Sequence, residues 1–99
     1  MAKKLRRSTG NVFRDLGFPA EEAENLRIRS ELMARLTRVI EDEGLTQAET
    51  AQLLGVTQPR VSDLVRGRID VFSIDTLVKM LSRAGVRVTV TARARRRVA

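Results

Sequence analysis

Cysteine and histidine are both absent from this chain of 99 residues, and tryptophan and tyrosine are absent with them. Without cysteine there is no disulfide, no thiolate nucleophile and no Cys-based metal site. Without histidine the commonest general base and metal ligand is missing. Aromatic surface is limited to three phenylalanines, and only two prolines interrupt the chain. No apolar run approaches the roughly 20 residues that span a membrane. The basic opening segment is not followed by the apolar stretch of a signal peptide. These absences speak against an enzyme, call for no cofactor or metal, and lead to the expectation of a cytoplasmic protein with no membrane partner. The length suits one domain with a single modest core.

Positive charge is abundant, with a formal net charge of +7, but it is unevenly placed. Lys3, Lys4, Arg6 and Arg7 fall in residues 1–10, and Arg93, Arg95, Arg96 and Arg97 in residues 91–99, with no acid in either stretch. Those eight cations leave the middle of the chain at −1, so the high pI resides in the tails and is weak grounds for nucleic-acid binding. Local distribution says more. Thr57–Arg68 carries Arg60, Arg66 and Arg68 against Asp63 alone, whereas Glu21–Glu49 carries eight acids against four arginines. One side of the molecule should favour phosphate and another should repel it.

The most structured stretch is Thr46–Gly67, TQAETAQLLGVTQPRVSDLVRG. Thr46 and Glu49 form a T-x-x-E capping box, in which hydroxyl and carboxylate satisfy backbone N–H groups at a helix start. Ala48, Ala51, Leu53 and Leu54 give a small-residue apolar face, and Gly55 ends the helix where a positive φ is needed. Ala51 stands where a larger side chain would push two helices apart. Thr57 is placed to cap a second helix, and Pro59 is tolerated in its first turn, which has no intrahelical acceptor for the missing N–H. Val61, Leu64 and Val65 form an inward i, i+3, i+4 stripe, and Gly67 closes the helix. Two short helices joined by a tight turn make a helix-turn-helix. A helix hairpin unconnected with nucleic acid is the bland alternative, and this combination of punctuation marks is uncommon in such hairpins.

The run resembles the Xre/Cro-type repressors of phages and bacteria in TQAE, an alanine two residues on, LG before the turn, TQ opening the second helix, and a terminal RG. The resemblance implies that Thr57–Arg66 enters the major groove N-terminus first. On that mapping Gln58 is the best base reader, because its amide can pair bidentately with adenine N6 and N7. Arg60 is placed to reach guanine or phosphate. Pro59 replaces a polar residue often found there and offers only apolar contact to a thymine methyl. Asp63 also departs from the best-known members, and would accept from cytosine N4 or repel the backbone. Gln47, Thr57, Arg66 and Arg68 are placed to hold phosphates, and Ser62 completes the candidate DNA-binding set. An ordinary solvated helix start is the competing reading for Gln58, and exposed arginines such as Arg66 and Arg68 need no special reason.

Asn11–Pro19, NVFRDLGFP, holds two of the three aromatics, and its Gly17 and Pro19 limit any helix to a turn or two. It reads as a segment folded back over the core, with a sticky patch for a partner as the sharper alternative. Glu21–Glu43 reads as a long helix with Ile28, Leu32, Leu36, Val39 and Ile40 on one apolar face and Met33 at its edge. Glu21, Glu22 and Glu24 suit the positive end of its dipole, and Gly44 stops it. Glu41, Asp42 and Glu43 are consecutive and share no helix face, so they read as a solvated helix end and not as a metal or acid–base site. After Gly67 a connector, Arg68–Phe72, leads to Ser73 as N-cap of a helix with Ile74, Leu77, Val78, Leu81 and Ala84 inward. Phe72 is placed to staple onto Leu77, and Gly85 closes that helix. Val86–Ala92 alternates apolar and polar residues and reads as a half-buried strand, whose natural partner is the same strand of another copy.

The expected fold class is therefore mainly α: a repressor-like helix-turn-helix bundle with a C-terminal β-strand used for dimerisation. Residues 1–10 and 93–99 are expected as flexible basic tails, 11–85 as the DNA-binding domain with its core at 46–67, and 86–92 as the dimerisation strand. The flanks NVFRDLGFP, FSIDTLVKML and RVTVTARAR, taken with the acidic helix and the core, are also similar to HigA-type antitoxins. That narrower resemblance implies a homodimer on a palindromic double-stranded operator, repression of its own operon, and neutralisation of a small basic RelE/ParE-like ribonuclease toxin. A stand-alone Xre-type regulator with no toxin is the second reading. An enzyme is the third, and no phosphate loop or convergent carboxylate pair supports it.

Overall fold

The computed structural model describes residues 10–94, which build five α-helices and a short 3-10 turn. In order these are α1 (Val12–Asp15), α2 (Ala20–Glu43), α3 (Gln47–Leu54), α4 (Gln58–Val65), the 3-10 turn (Ile69–Val71) and α5 (Ile74–Arg83). The tails expected over 1–10 and 93–99 lie outside the described residues, apart from Gly10, Arg93 and Ala94.

The long helix α2 is the spine. It begins at Ala20, one residue before the expected start, and Gly44 closes it with a positive φ of 62°. Its buried residues are Ala23, Leu26, Met33, Leu36 and Ile40. Met33, expected at the edge of the face, is 5% exposed, while Ile28, Leu32 and Val39 are only half-buried. The stripe is rotated because two different partners cover its two ends. α1 packs on the N-terminal part, and α4 and α5 pack on the rest.

The main core gathers Met33, Leu36 and Ile40 of α2, Leu54 of α3, Leu64 of α4, Phe72 of the connector, and Leu77, Met80 and Leu81 of α5. Burying each leucine contributes about 1.5–3 kcal/mol relative to exposure. Phe72, immediately before the Ser73 N-cap, shares this cluster with Leu77, as a hydrophobic staple requires. Met80 belongs to the inward face of α5, whereas Ile74, Val78 and Ala84 are half-buried at its edge. Val65 points outward at 42% exposure and does not join the expected inward stripe of α4. The helix has turned so that Val61 and Leu64, each 1% exposed, are its only fully buried residues.

The expected C-terminal strand does not form. Residues 86–94 have no regular secondary structure, and no strand occurs among the described residues. The alternation that suggested one has another cause. α5 ends in a Schellman arrangement, with the Gly85 amide donating to the Ser82 carbonyl at 3.0 Å and the Val86 amide to Leu81 at 2.8 Å. Gly85, at φ +84°, turns the chain back along the bundle. Val86 and Val88 then pack against the helical core while Val90 is 83% exposed. A period of two arises here from a chain lying on helices, with no ladder beside it.

Candidate nucleic-acid interface

The helix pair α3–α4 is fixed from its first residue. The Thr46 amide donates to Glu49 Oε1 at 2.9 Å and the Glu49 amide donates to Thr46 Oγ1 at 3.1 Å, a complete capping box. The Thr50 hydroxyl donates to the Thr46 carbonyl at 2.8 Å, which satisfies the buried polar side chain of Thr50. Ala51 is buried where α3 faces α4, as its size requires. Gly55 then takes φ +70° and the Val56 amide closes the turn on the Ala51 carbonyl at 3.0 Å.

α4 begins at Thr57, but the Thr57 side chain makes no capping hydrogen bond, contrary to the expectation for it. Backbone bonds from the Arg60 and Val61 amides to the Thr57 carbonyl, at 3.1 and 3.2 Å, start the helix instead. The Thr57 hydroxyl is thereby left for an outside partner. Gln58 and Pro59 follow, both exposed, in the same first turn. The Gln58 amide has no hydrogen-bond partner among the described residues, and the same holds for Gln47 at the start of α3. The unpaired N–H groups of a helix start carry partial positive charge, which favours a phosphate oxygen nearby.

The remaining candidate residues divide. Arg66 is exposed, with no ion pair among the described residues. Arg68 stands between two carboxylates, 3.8 Å from Asp63 and 3.7 Å from Asp70. Both pairs are long and involve the exposed Arg68 guanidinium, so each is of small energy and a phosphate can displace it. Ser62 and Asp63 are half-buried. Arg60 turns away from solvent: its Nη1 donates to the Val71 carbonyl at 3.2 Å, and its guanidinium carbon lies 4.5 Å from the centroid of the Phe72 ring. Gln47, Thr57, Gln58, Pro59 and Arg66 are thus exposed at the two helix starts and the end of α4. Arg60 faces the fold.

Two arginines that support this arrangement carry no local signal in the sequence. Arg29 of α2 donates from Nη1 to the carbonyls of Ile69 and Phe72 at 3.1 and 3.4 Å, across 40 and 43 residues. Arg83 of α5 donates to the Leu53 carbonyl across 30 residues. Their acceptors are backbone atoms, which any sequence supplies, so only the three-dimensional arrangement selects them.

α2 carries an excess of acid. Arg27 is held between Glu24 and Glu31, each at 2.7 Å, and hydrogen bonding to Glu24 foremost raises its pKa further above the ordinary arginine value. Glu21, Glu22, Glu41 and Glu43 have no ion-pair partner among the described residues. α1 and the residues just after it expose Val12, Leu16 and Phe18 at 59%, 69% and 38%. Asn11 caps α1 by accepting from the Phe13 and Arg14 amides, and Phe13 and Phe18 meet edge to face at 6.2 Å. The segment folds back only in part. A groove of about 650 Å³ opens between α1, α2 and the end of α4, with Phe13, Met33, Leu64 and Val65 among its walls. Among the described residues no group of three or more acidic side chains is placed to hold a metal ion. No helix among the described residues is long and apolar enough to cross a membrane.

Residues 12–93 match the family described as helix-turn-helix domain. A solved chain assigned by name to the XRE family of transcriptional regulators superposes with a TM-score of 0.72 and 31% sequence identity, covering 79% of this chain and 91% of that one. No curated protein matches the sequence.

Proposed function

This chain belongs to the helix-turn-helix family, among the XRE-type transcriptional regulators, and on that premise we propose that it represses transcription by reading DNA with the first turn of α4. One observation carries the reading. Gln58, an amide able to pair with adenine, and the Thr57 hydroxyl sit together on an exposed helix start and have no internal hydrogen-bonding role. Gln47 and Arg66 flank that turn as phosphate partners, and the exposed Arg68 joins them by leaving its weak carboxylate pairs. Ser62, Asp63 and Pro59 tune which bases fit. A single recognition helix reaches only three or four base pairs, too few to single out one site in a genome. The working form is therefore a homodimer, on a palindromic operator with half-sites about 34 Å apart. The protein acts in the cytoplasm, where the DNA is.

The test is selection from a randomised duplex pool followed by gel shifts across a salt series. An enriched palindrome bound at least a thousandfold tighter than its scrambled counterpart is expected from the usual gap between specific and non-specific binding. Equal affinity for both duplexes would dispose of the repressor reading.

Within that function, the antitoxin reading is favoured over a stand-alone regulator by a second surface, around α2 and the segment 12–18. An acidic helix lies beside exposed apolar residues of α1 and an open groove, which suits a small basic partner with an apolar contact surface. A RelE/ParE-like ribonuclease toxin has that character. Co-expression with the product of the adjacent gene decides between the two: a stable complex supports the antitoxin, and a neighbour that neither binds nor arrests growth leaves the plain regulator.

A further inference from the structure

The turn that reads DNA on the foregoing proposal is not held by its own cap. Asn11, Thr46 and Ser73 each close the start of their helix with a side-chain hydrogen bond, whereas Thr57 makes none at the start of α4. What holds the first turn of α4 is its third residue. Arg60 is half-buried, donates to the Val71 carbonyl at 3.2 Å and lies over the Phe72 ring at 4.5 Å. Phe72 is 1% exposed and belongs to the main core. The same connector is also held by Arg29, whose Nη1 bonds the Ile69 and Phe72 carbonyls while its Nε is fixed on Asn25 Oδ1 at 2.6 Å. Two guanidiniums, one from the spine and one from the reading helix, thus both bond carbonyls of the connector 68–72.

We infer that Arg60 is a positioning residue for DNA reading and not a base or phosphate contact: it latches the reading turn of α4 to the connector and, through Phe72, to the core. A guanidinium suits this seat because its flat face lies on the ring while its edge donates to a carbonyl, and a lysine ammonium has no such plane. The consequence for recognition is geometric. A bidentate amide–adenine pair needs both heavy-atom distances near 2.9 Å, so a displacement of the first turn by about 1 Å is enough to break it. Non-specific attraction to phosphate tolerates such a displacement.

The experiment compares wild type, Arg60→Lys, Phe72→Leu and the double variant, each well below its thermal midpoint. The probes are the duplex enriched by the wild type and a scrambled duplex of the same composition. Arg60→Lys keeps the charge, so its salt dependence should match wild type while its selected-to-scrambled affinity ratio falls about tenfold. Phe72→Leu changes a buried side chain that cannot touch DNA, and its ratio should fall in the same direction. The double variant should be no worse than the weaker single one, since both break one linkage. Phe72→Met replaces Phe72→Leu if the latter does not fold. A ratio preserved in Arg60→Lys overturns the inference. So does a ratio lost in Arg60→Lys but kept in the folded Phe72 variant, which would put Arg60 on the DNA itself. Should the wild type show no discrimination, the DNA-reading proposal fails, and amide exchange still judges the latch. The Val61 amide should exchange faster in Arg60→Lys, and unchanged exchange rejects it.

Discussion

Arg83 and Leu53 are joined by a hydrogen bond of 3.1 Å from the guanidinium Nε to the backbone carbonyl, which ties α5 to the end of α3. The guanidinium carbon stands 2.9 Å from where a β-carbon on Gly55 would lie. Gly55 is therefore constrained twice, by its φ of +70° and by its neighbour. A left-handed conformation costs a non-glycine residue about 1–2 kcal/mol. The Arg83 tip is the end of a flexible side chain and can move at small cost. Gly55→Ala should lower the thermal midpoint by roughly 5–15 °C for a domain of this size. Combining it with Arg83→Ala should not restore stability. If the double variant recovers the wild-type midpoint, the clash and not the φ is responsible.

Two threonines at the starts of neighbouring helices should behave differently. Thr46→Ala removes an acceptor that the Glu49 amide uses at 3.1 Å and should cost about 1 kcal/mol. Thr57→Ala removes no capping bond and should stay within about 0.5 kcal/mol of wild type. Urea unfolding with unchanged m-values measures both. The second variant should nevertheless weaken DNA binding, because its hydroxyl is available only to an outside partner.

Gln58→Ala should weaken binding to the selected duplex by about 1–3 kcal/mol and leave scrambled DNA nearly untouched. Arg66→Ala should weaken both alike and flatten the salt dependence by about one unit. Gel shifts on the two duplexes across a salt series separate these behaviours. Equal losses on both duplexes for the Gln58 variant would remove it as a base reader.

The double change Phe13→Ala with Phe18→Ala examines the surface around α1. The edge-to-face pair is worth about 0.5–1.5 kcal/mol beyond the area it buries, so some stability will be lost. Because Phe18 is 38% exposed and α1 lies outside the main core, the domain should remain folded. On the antitoxin proposal, affinity for the adjacent gene product should then drop at least tenfold, measured by calorimetry beside the melting temperature. Unchanged affinity in the folded variant would mean that these rings only cover α2, and charge reversal at Glu21, Glu22, Glu41 and Glu43 would be the next test.

The helix boundaries, the capping box at Thr46, the stops at Gly44, Gly55, Gly67 and Gly85 and the apolar position of Leu64 were legible in the sequence. Each depends on residues within about five positions, where backbone preference and capping chemistry act. Gln58 stood out for the same reason, as a polar residue opening a helix inside a recognisable frame. The orientation of side chains across elements was not legible. Val65 shares its spacing with Val61 and Leu64, yet it faces outward because the packing of α4 on α3 and α2 decides which arc of α4 is covered. Arg60 reads as a candidate DNA contact by position alone. Its seat on Phe72 and the Val71 carbonyl exists only once the connector folds beside α4. The valine alternation at 86–90 has two physical solutions, a strand beside a strand or a chain lying on helices. Its sequence is compatible with both, and the packing of Val86 and Val88 on the helical core chose the second.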